Sequence, residues 1–138
     1  MGFLLAVFIS FSRLLAVPGI EEDYDKLYVF HSPDRSIEQK LYVRFTGRNE
    51  IGYKLLVTRE DCENELEGIA KSSGGDGEID EDADGNAYMA VEYRFENPDY
   101  YLGIRISEDK KKVKLAYAPN IDGKERCPVV ANELMYSE

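Results

Sequence analysis

Leu102-Gly103-Ile104-Arg105-Ile106-Ser107, then Glu108-Asp109-Lys110-Lys111, then Val113-Lys114-Leu115-Ala116-Tyr117 is the stretch that decides the fold. Leu102, Ile104 and Ile106 fall on one side of an extended chain, and Arg105 and Ser107 on the other. Successive side chains of a strand point to opposite faces, so a repeat of two marks a strand with one apolar and one wet face. The charged residues between the two runs form a polar turn, and Val113, Leu115 and Tyr117 resume the alternation beyond it. The pair reads as a β-hairpin.

The same period extends outward from this hairpin. Ala87, Met89, Val91, Tyr93 and Phe95 oppose Tyr88, Glu92, Arg94 and Glu96, and Asn97-Pro98-Asp99 ends that run. Proline lacks the donor that a central ladder needs. Ile37, Gln39, Leu41, Val43 and Phe45 share one side of an earlier strand, with Glu38, Lys40, Tyr42 and Arg44 on the other. After the turn Gly47-Arg48-Asn49-Glu50, Ile51, Tyr53, Leu55 and Val57 alternate again. Weaker strands are expected over Leu27–His31, Leu66–Lys71 and Val129–Tyr136, and Arg59–Leu66 has the alternative of a helical turn. The expectation is an all-β domain of about eight short antiparallel strands. Short connections and a single wet face point to an up-and-down barrel or a sandwich.

The totals narrow the function. The 138 residues carry a net charge of -10, with ten Tyr, six Phe and no Trp. That charge excludes nucleic acid or an anionic membrane surface as the main partner, because both require a positive field. It suits a cationic protein, a metal cation or plain solubility. At the N-terminus, Gly2 to Ile9 is an unbroken apolar run with Phe3 to Ile9 at its centre, and the chain turns polar abruptly at Glu21-Glu22-Asp23. Residues 1–20 read as an apolar helix removed as a signal peptide, leaving 21–138 as one β domain. The absence of a preceding Lys or Arg, and Arg13 inside the stretch, count against that; a mis-assigned start or a buried N-terminal helix are the alternatives. Broken by Arg13, the run is too short for a permanent span, so the expected location is secreted, periplasmic or cell-surface.

Two cysteines, Cys62 and Cys127, have no CxxC spacing and no neighbouring histidine that would make a zinc site. Oxidised, they close a loop of 65 residues, worth roughly 4 kcal/mol in the chain-entropy account. Two buried thiols are the alternative.

The most unusual segment runs from Ser72 to Asn86. A Gly/Ser-rich lead is followed by Asp76, Glu78, Asp80, Glu81, Asp82 and Asp84. Asp80-x-Asp82-x-Asp84-Gly85 matches the first half of a calcium-loop pattern, where alternating carboxylates converge on the ion and glycine makes the turn. The twelfth position, which should supply a bidentate Glu, is Val91, and no helices flank the segment. Asp80, Asp82 and Asp84 are therefore candidate calcium ligands on a β scaffold, and calcium is the one cofactor any motif admits. A solvated acidic hairpin loop is the plainer reading. Asp76, Glu78 and Glu81 are candidate contacts for a cationic partner, joined by Tyr100 and Tyr101, which follow Pro98-Asp99 and are expected at the surface.

Leu66-Glu67-Gly68-Ile69-Ala70, Gly75-Asp76-Gly77-Glu78-Ile79-Asp80-Glu81-Asp82, Gly85-Asn86-Ala87-Tyr88 and Glu92-Tyr93 together resemble a pattern in small exported bacterial β proteins without an assigned activity. The similarity spans about residues 53–136 and includes both cysteines. It implies an exported, compact domain in which a disulfide is admissible, and no catalytic residue.

Catalytic signals are sparse. His31 is the sole histidine, so any Ser-His-Asp or Cys-His arrangement would have to use it. Carboxylates are too abundant for any pair to stand out. No Walker loop, dinucleotide fingerprint, HExxH or GxSxG motif is present. The expectation is an exported, non-enzymatic binding domain, most sharply an inhibitor of a cationic secreted enzyme such as a lysozyme. A calcium-stabilised cell-surface module and a small carboxylate-dependent hydrolase are the alternatives.

Overall fold

Strand alternation resolves into a sheet that closes on itself. The computed structural model describes residues 23–74, 77–120 and 127–138. Residues 1–20, read as a leader, and Asp76 lie outside them. Among the described residues nine strands follow in order: β1 (Lys26–His31), β2 (Glu38–Gly47), β3 (Glu50–Arg59), β4 (Cys62–Lys71), β5 (Glu78–Glu81), β6 (Ala87–Glu96), β7 (Tyr100–Ser107), β8 (Lys112–Pro119) and β9 (Met135–Ser137). Their pairings are antiparallel, and β9 lies between β8 and β1. β4 pairs with β3 along its whole length and then meets β6 at Lys71 opposite Arg94. Eight strands thus form a closed up-and-down barrel, with β5 as an extra strand on the edge of β6. No helix occurs among the described residues.

On β2, β3, β7 and β8 the inward positions are those the period marked, whereas at the start of β6 the phase differs: Ala87 is exposed and Ala90 is buried. Leu41 and Val43 of β2, Ile51, Tyr53, Leu55 and Val57 of β3, Leu102 and Ile104 of β7, and Val113 and Leu115 of β8 are buried in one core. Each large aliphatic side chain so buried contributes about 2 kcal/mol. Tyr53, Phe95, Tyr100 and Tyr117 stack through the interior, and the Tyr53 and Tyr100 hydroxyls are 2.9 Å apart. Burial, then the bond to Tyr100, keeps the Tyr53 phenol neutral far above its ordinary range. Tyr100 is only 7% exposed, against the expectation of a surface pair. Asn97 Oδ1 accepts the N–H groups of Asp99 and Tyr100, and this turn starts β7 with Tyr100 in phase with Leu102 and Ile104. Tyr101 takes the outer phase and is half-buried.

Two local expectations fail for identifiable reasons. Arg59–Leu66 forms no helical turn: a tight turn at Glu60-Asp61 leads into β4, with Arg59 opposite Cys62. The alternation is present there, but Asn64 and Gly68 on the inner phase hide it from a hydrophobic count. Val129–Tyr136 is not one strand, since only Met135–Ser137 pairs. The residues before it close one end of the barrel. Cys127 is disulfide-bonded to Cys62 with their Cα atoms 5.8 Å apart, as the cysteine count allowed. Asn64 Nδ2 donates to the Cys127 carbonyl at 3.0 Å. Gln39, an outlier on an apolar strand face, is fully buried and grips Val130 from both sides. Its Nε2 donates to the Val130 carbonyl at 2.9 Å, and its Oε1 accepts the Val130 N–H at 2.8 Å.

Candidate functional site

The acidic segment forms a hairpin arm from β5, which lies outside the barrel ring, and the first residues of β6, whose later residues belong to the ring. Gly77 has φ +88°, and a Cβ there would lie 2.7 Å from the Ala90 carbonyl oxygen, so only glycine lets the chain enter β5 this close to β6. β5 then pairs from Glu78 opposite Ala90 to Glu81 opposite Ala87. At the tip, Asp82 N–H donates to the Asn86 carbonyl at 2.9 Å and Gly85 N–H to the Asp82 carbonyl at 3.0 Å. Gly85, at φ +84°, supplies the left-handed position of this three-residue loop. Asp82 Oδ1 accepts the N–H groups of Asn86 at 2.9 Å and Asp84 at 3.0 Å. Those backbone donors, Asn86 foremost, hold the Asp82 carboxyl below its ordinary value. The Asp-x-Asp-Gly element in the calcium-like pattern therefore builds a turn.

Arg105 on the outer face of β7 fastens the arm. Its Nη2 meets Glu78 Oε2 at 3.0 Å, its Nη1 meets Asp80 Oδ1 at 3.1 Å, and its Nε meets Glu92 Oε2 at 3.1 Å. Arg94 Nε takes the other Glu92 oxygen at 2.7 Å. Burial opposes the charge on Glu92, but the hydrogen bonds from Arg94 and Arg105 outweigh it and hold the carboxyl below its ordinary value. Asp80 is 8% exposed. Tyr88 stands opposite it in the ladder with Lys112 Nζ 4.8 Å from its ring centroid. Burial and then the Asp80 charge push the Tyr88 phenol up to about 12. Asp80 Oδ2 and the Tyr88 hydroxyl are both buried without a hydrogen-bond partner among the described residues.

Beside the arm lies an open groove of about 560 Å³. The hairpin tip contributes Glu81, Asp82 and Ala83, and the segment before β9 contributes Asn132, Glu133 and Leu134. Val29 and Tyr136, directly opposite in the β1–β9 ladder, give it apolar surface. Tyr136 is 49% exposed, unusual for so large a ring. Lys114 and His31 complete the rim; His31 Nδ1 lies 3.7 Å from Glu38 Oε2.

The structure gathers Glu78, Asp80, Glu81 and Asp82 on one arm, with Asp84 in its tip. Asp80 turns to Arg105 and Asp82 to the turn backbone, and among the described residues no group of three His, Cys, Asp or Glu side chains is placed to hold a metal ion. Tyr100 is in the core and Tyr101 lies on the outer face of β7, opposite Glu96 of β6. Sequence reasoning missed Arg105, Lys114, Glu133 and Tyr136. Arg105 was visible only as the charge on the wet face of a strand, and no local pattern joins it to Glu78 and Asp80. Tyr136 stood inside a stretch read as an ordinary strand. No known protein family, curated protein or solved structure matches the chain.

Proposed function

We propose that this protein is an exported, non-enzymatic binding domain whose acidic hairpin arm engages a cationic protein, in its sharpest form as an inhibitor of a basic secreted enzyme such as a lysozyme. The observation that carries this reading is the arm itself. Glu78, Asp80, Glu81, Asp82 and Asp84 share one short hairpin that Arg105 and the Asp82 turn hold in shape before any partner arrives. A preorganised charged element loses little conformational entropy on binding, and its field speeds encounter with an opposite charge. The Cys62–Cys127 disulfide and the apolar run near the N-terminus support an oxidising, extracytoplasmic location.

Titration of a basic lysozyme with the protein, following both binding kinetics and residual lytic activity, tests the proposal. The association rate is expected to fall steeply as salt rises. A double variant, Glu81→Lys with Asp84→Lys, is expected to lower that rate by about tenfold with an unchanged melting temperature. Absence of salt-sensitive binding to basic lysozymes and to other basic secreted enzymes would sink the reading.

A further inference from the structure

The groove beside the arm carries more information than the arm's charge. We infer that it is a receptor for an arginine side chain of the cationic partner, with the guanidinium stacked on Tyr136 and paired with the surrounding carboxylates. This inference rests on the proposal of a cationic partner and names the chemistry by which it is held.

Four observations converge. The groove has carboxylates from two separate segments, Glu81 and Asp82 from the hairpin tip and Glu133 from the chain before β9. They outnumber Lys114, the single lysine or arginine of the lining. Apolar surface in the same lining, from Val29 and Leu134, suits the methylene stem of a long cationic side chain. The Tyr136 ring is half-exposed at the same place, and a ring face attracts a cation through its quadrupole. The neighbouring Tyr88 already hosts such a contact with Lys112. Arginine fits this combination better than lysine, because its planar guanidinium stacks on a ring while its edge donates to carboxylates. At about 560 Å³ the groove has room for one such side chain and the backbone that carries it.

The test uses the protein with three short blocked probes: a diarginine, a dilysine and a dicitrulline peptide, followed by amide chemical shifts. Diarginine is expected to perturb Val29, Glu81, Ala83, Leu134 and Tyr136 saturably, with dilysine weaker and dicitrulline silent. Tyr136→Ala should weaken the diarginine probe by about fivefold, while Tyr136→Phe, which keeps the ring, should bind it as the wild type does. Lys114→Ala should tighten it. Equal binding of diarginine and dilysine, perturbations confined to the acidic tip, or indifference to Tyr136→Ala would overturn the inference. Each of those results leaves binding of the basic enzyme by the arm intact, whereas failure of the arm reading would show as no salt-sensitive enzyme binding at all.

Discussion

One end of this barrel and the arm beside it are built by opposite means. At the closed end, Cys127 is bonded to Cys62, Val129 is buried in the core, and Gln39 holds Val130 by both of its backbone groups. The β5–β6 arm has no comparable core. Ile79 is 69% exposed, and what fixes β5 is its ladder with β6 and the ion pairs to Arg105. The closed end is held by a covalent bond and buried pairing, which water and salt hardly reach. The arm is held by charge, which both can weaken. A damaged closed end should therefore unfold the molecule, and a damaged arm should only loosen itself.

The largest effect is expected at the disulfide. Replacing Cys62 and Cys127 together by Ala frees a loop of 65 residues in the unfolded state, for a loss of roughly 4 kcal/mol. Urea denaturation should show one cooperative transition at a much lower midpoint. If the midpoint moves by less than the change from Gln39→Leu, the closed end is not fixed by its covalent tie. Gln39→Leu keeps the volume but strips the Val130 N–H and carbonyl of their partners, at a cost of about 2 kcal/mol. This loss too should be global, visible as faster amide exchange in β2 and β3 alike.

Arg105→Met brings the comparison to the arm. It leaves Asp80 buried and unpaired beside Glu78 and Glu92. Because Arg105 is partly solvated, the penalty is about 2 kcal/mol, below that for a fully buried pair. Its signature is location: amide exchange should rise in β5 and the start of β6 while the β2–β3 amides keep their protection. Equal loss of protection in both regions would erase the contrast between them.

These two regions were not equally legible in the sequence. The barrel was, because a repeat of two written in Leu, Ile, Val and Tyr over β2, β3, β7 and β8 leaves one apolar face that must be buried. Its closed end was not, because Gln39 and Asn64 occupy inner positions without being apolar, and their partners lie far along the chain at Val130 and Cys127. The arm shows as an unusual concentration of carboxylates, and its Asp-x-Asp-Gly spacing admits a metal loop beside the plainer reading of a solvated hairpin loop. The same spacing serves a hairpin turn: a carboxylate two residues before another N–H can cap it, and glycine can take a positive φ. What distinguishes the two is whether Asp80 faces Asp82 or Arg105, and that depends on a residue 25 positions away.

The smallest effect, at Asp82, separates charge from turn formation within the arm. Both oxygen-to-backbone bonds at the tip use Asp82 Oδ1, and Asn keeps an acceptor at that position, a neutral and weaker one than the carboxylate. Asp82→Asn should therefore keep the tip ordered while removing one negative charge from an acidic arm, leaving the melting temperature unchanged or slightly higher. Asp82→Ala removes the acceptor as well, and exchange of the Asp84 and Asn86 amides should accelerate. The pH response follows from the sign of the shift. The backbone donors hold the Asp82 carboxyl below the ordinary aspartate value, so its contribution is fully present above that ordinary value. It is lost as the pH falls through the lowered value, when the carboxylate protonates and the two amides lose an ionised acceptor. Acid-induced loosening of the tip should thus occur in the wild type and be absent in Asp82→Asn, whose amide does not titrate. If the two proteins loosen together on acidification, the tip is governed by the arm's overall charge balance and the Asp82 turn contributes nothing of its own.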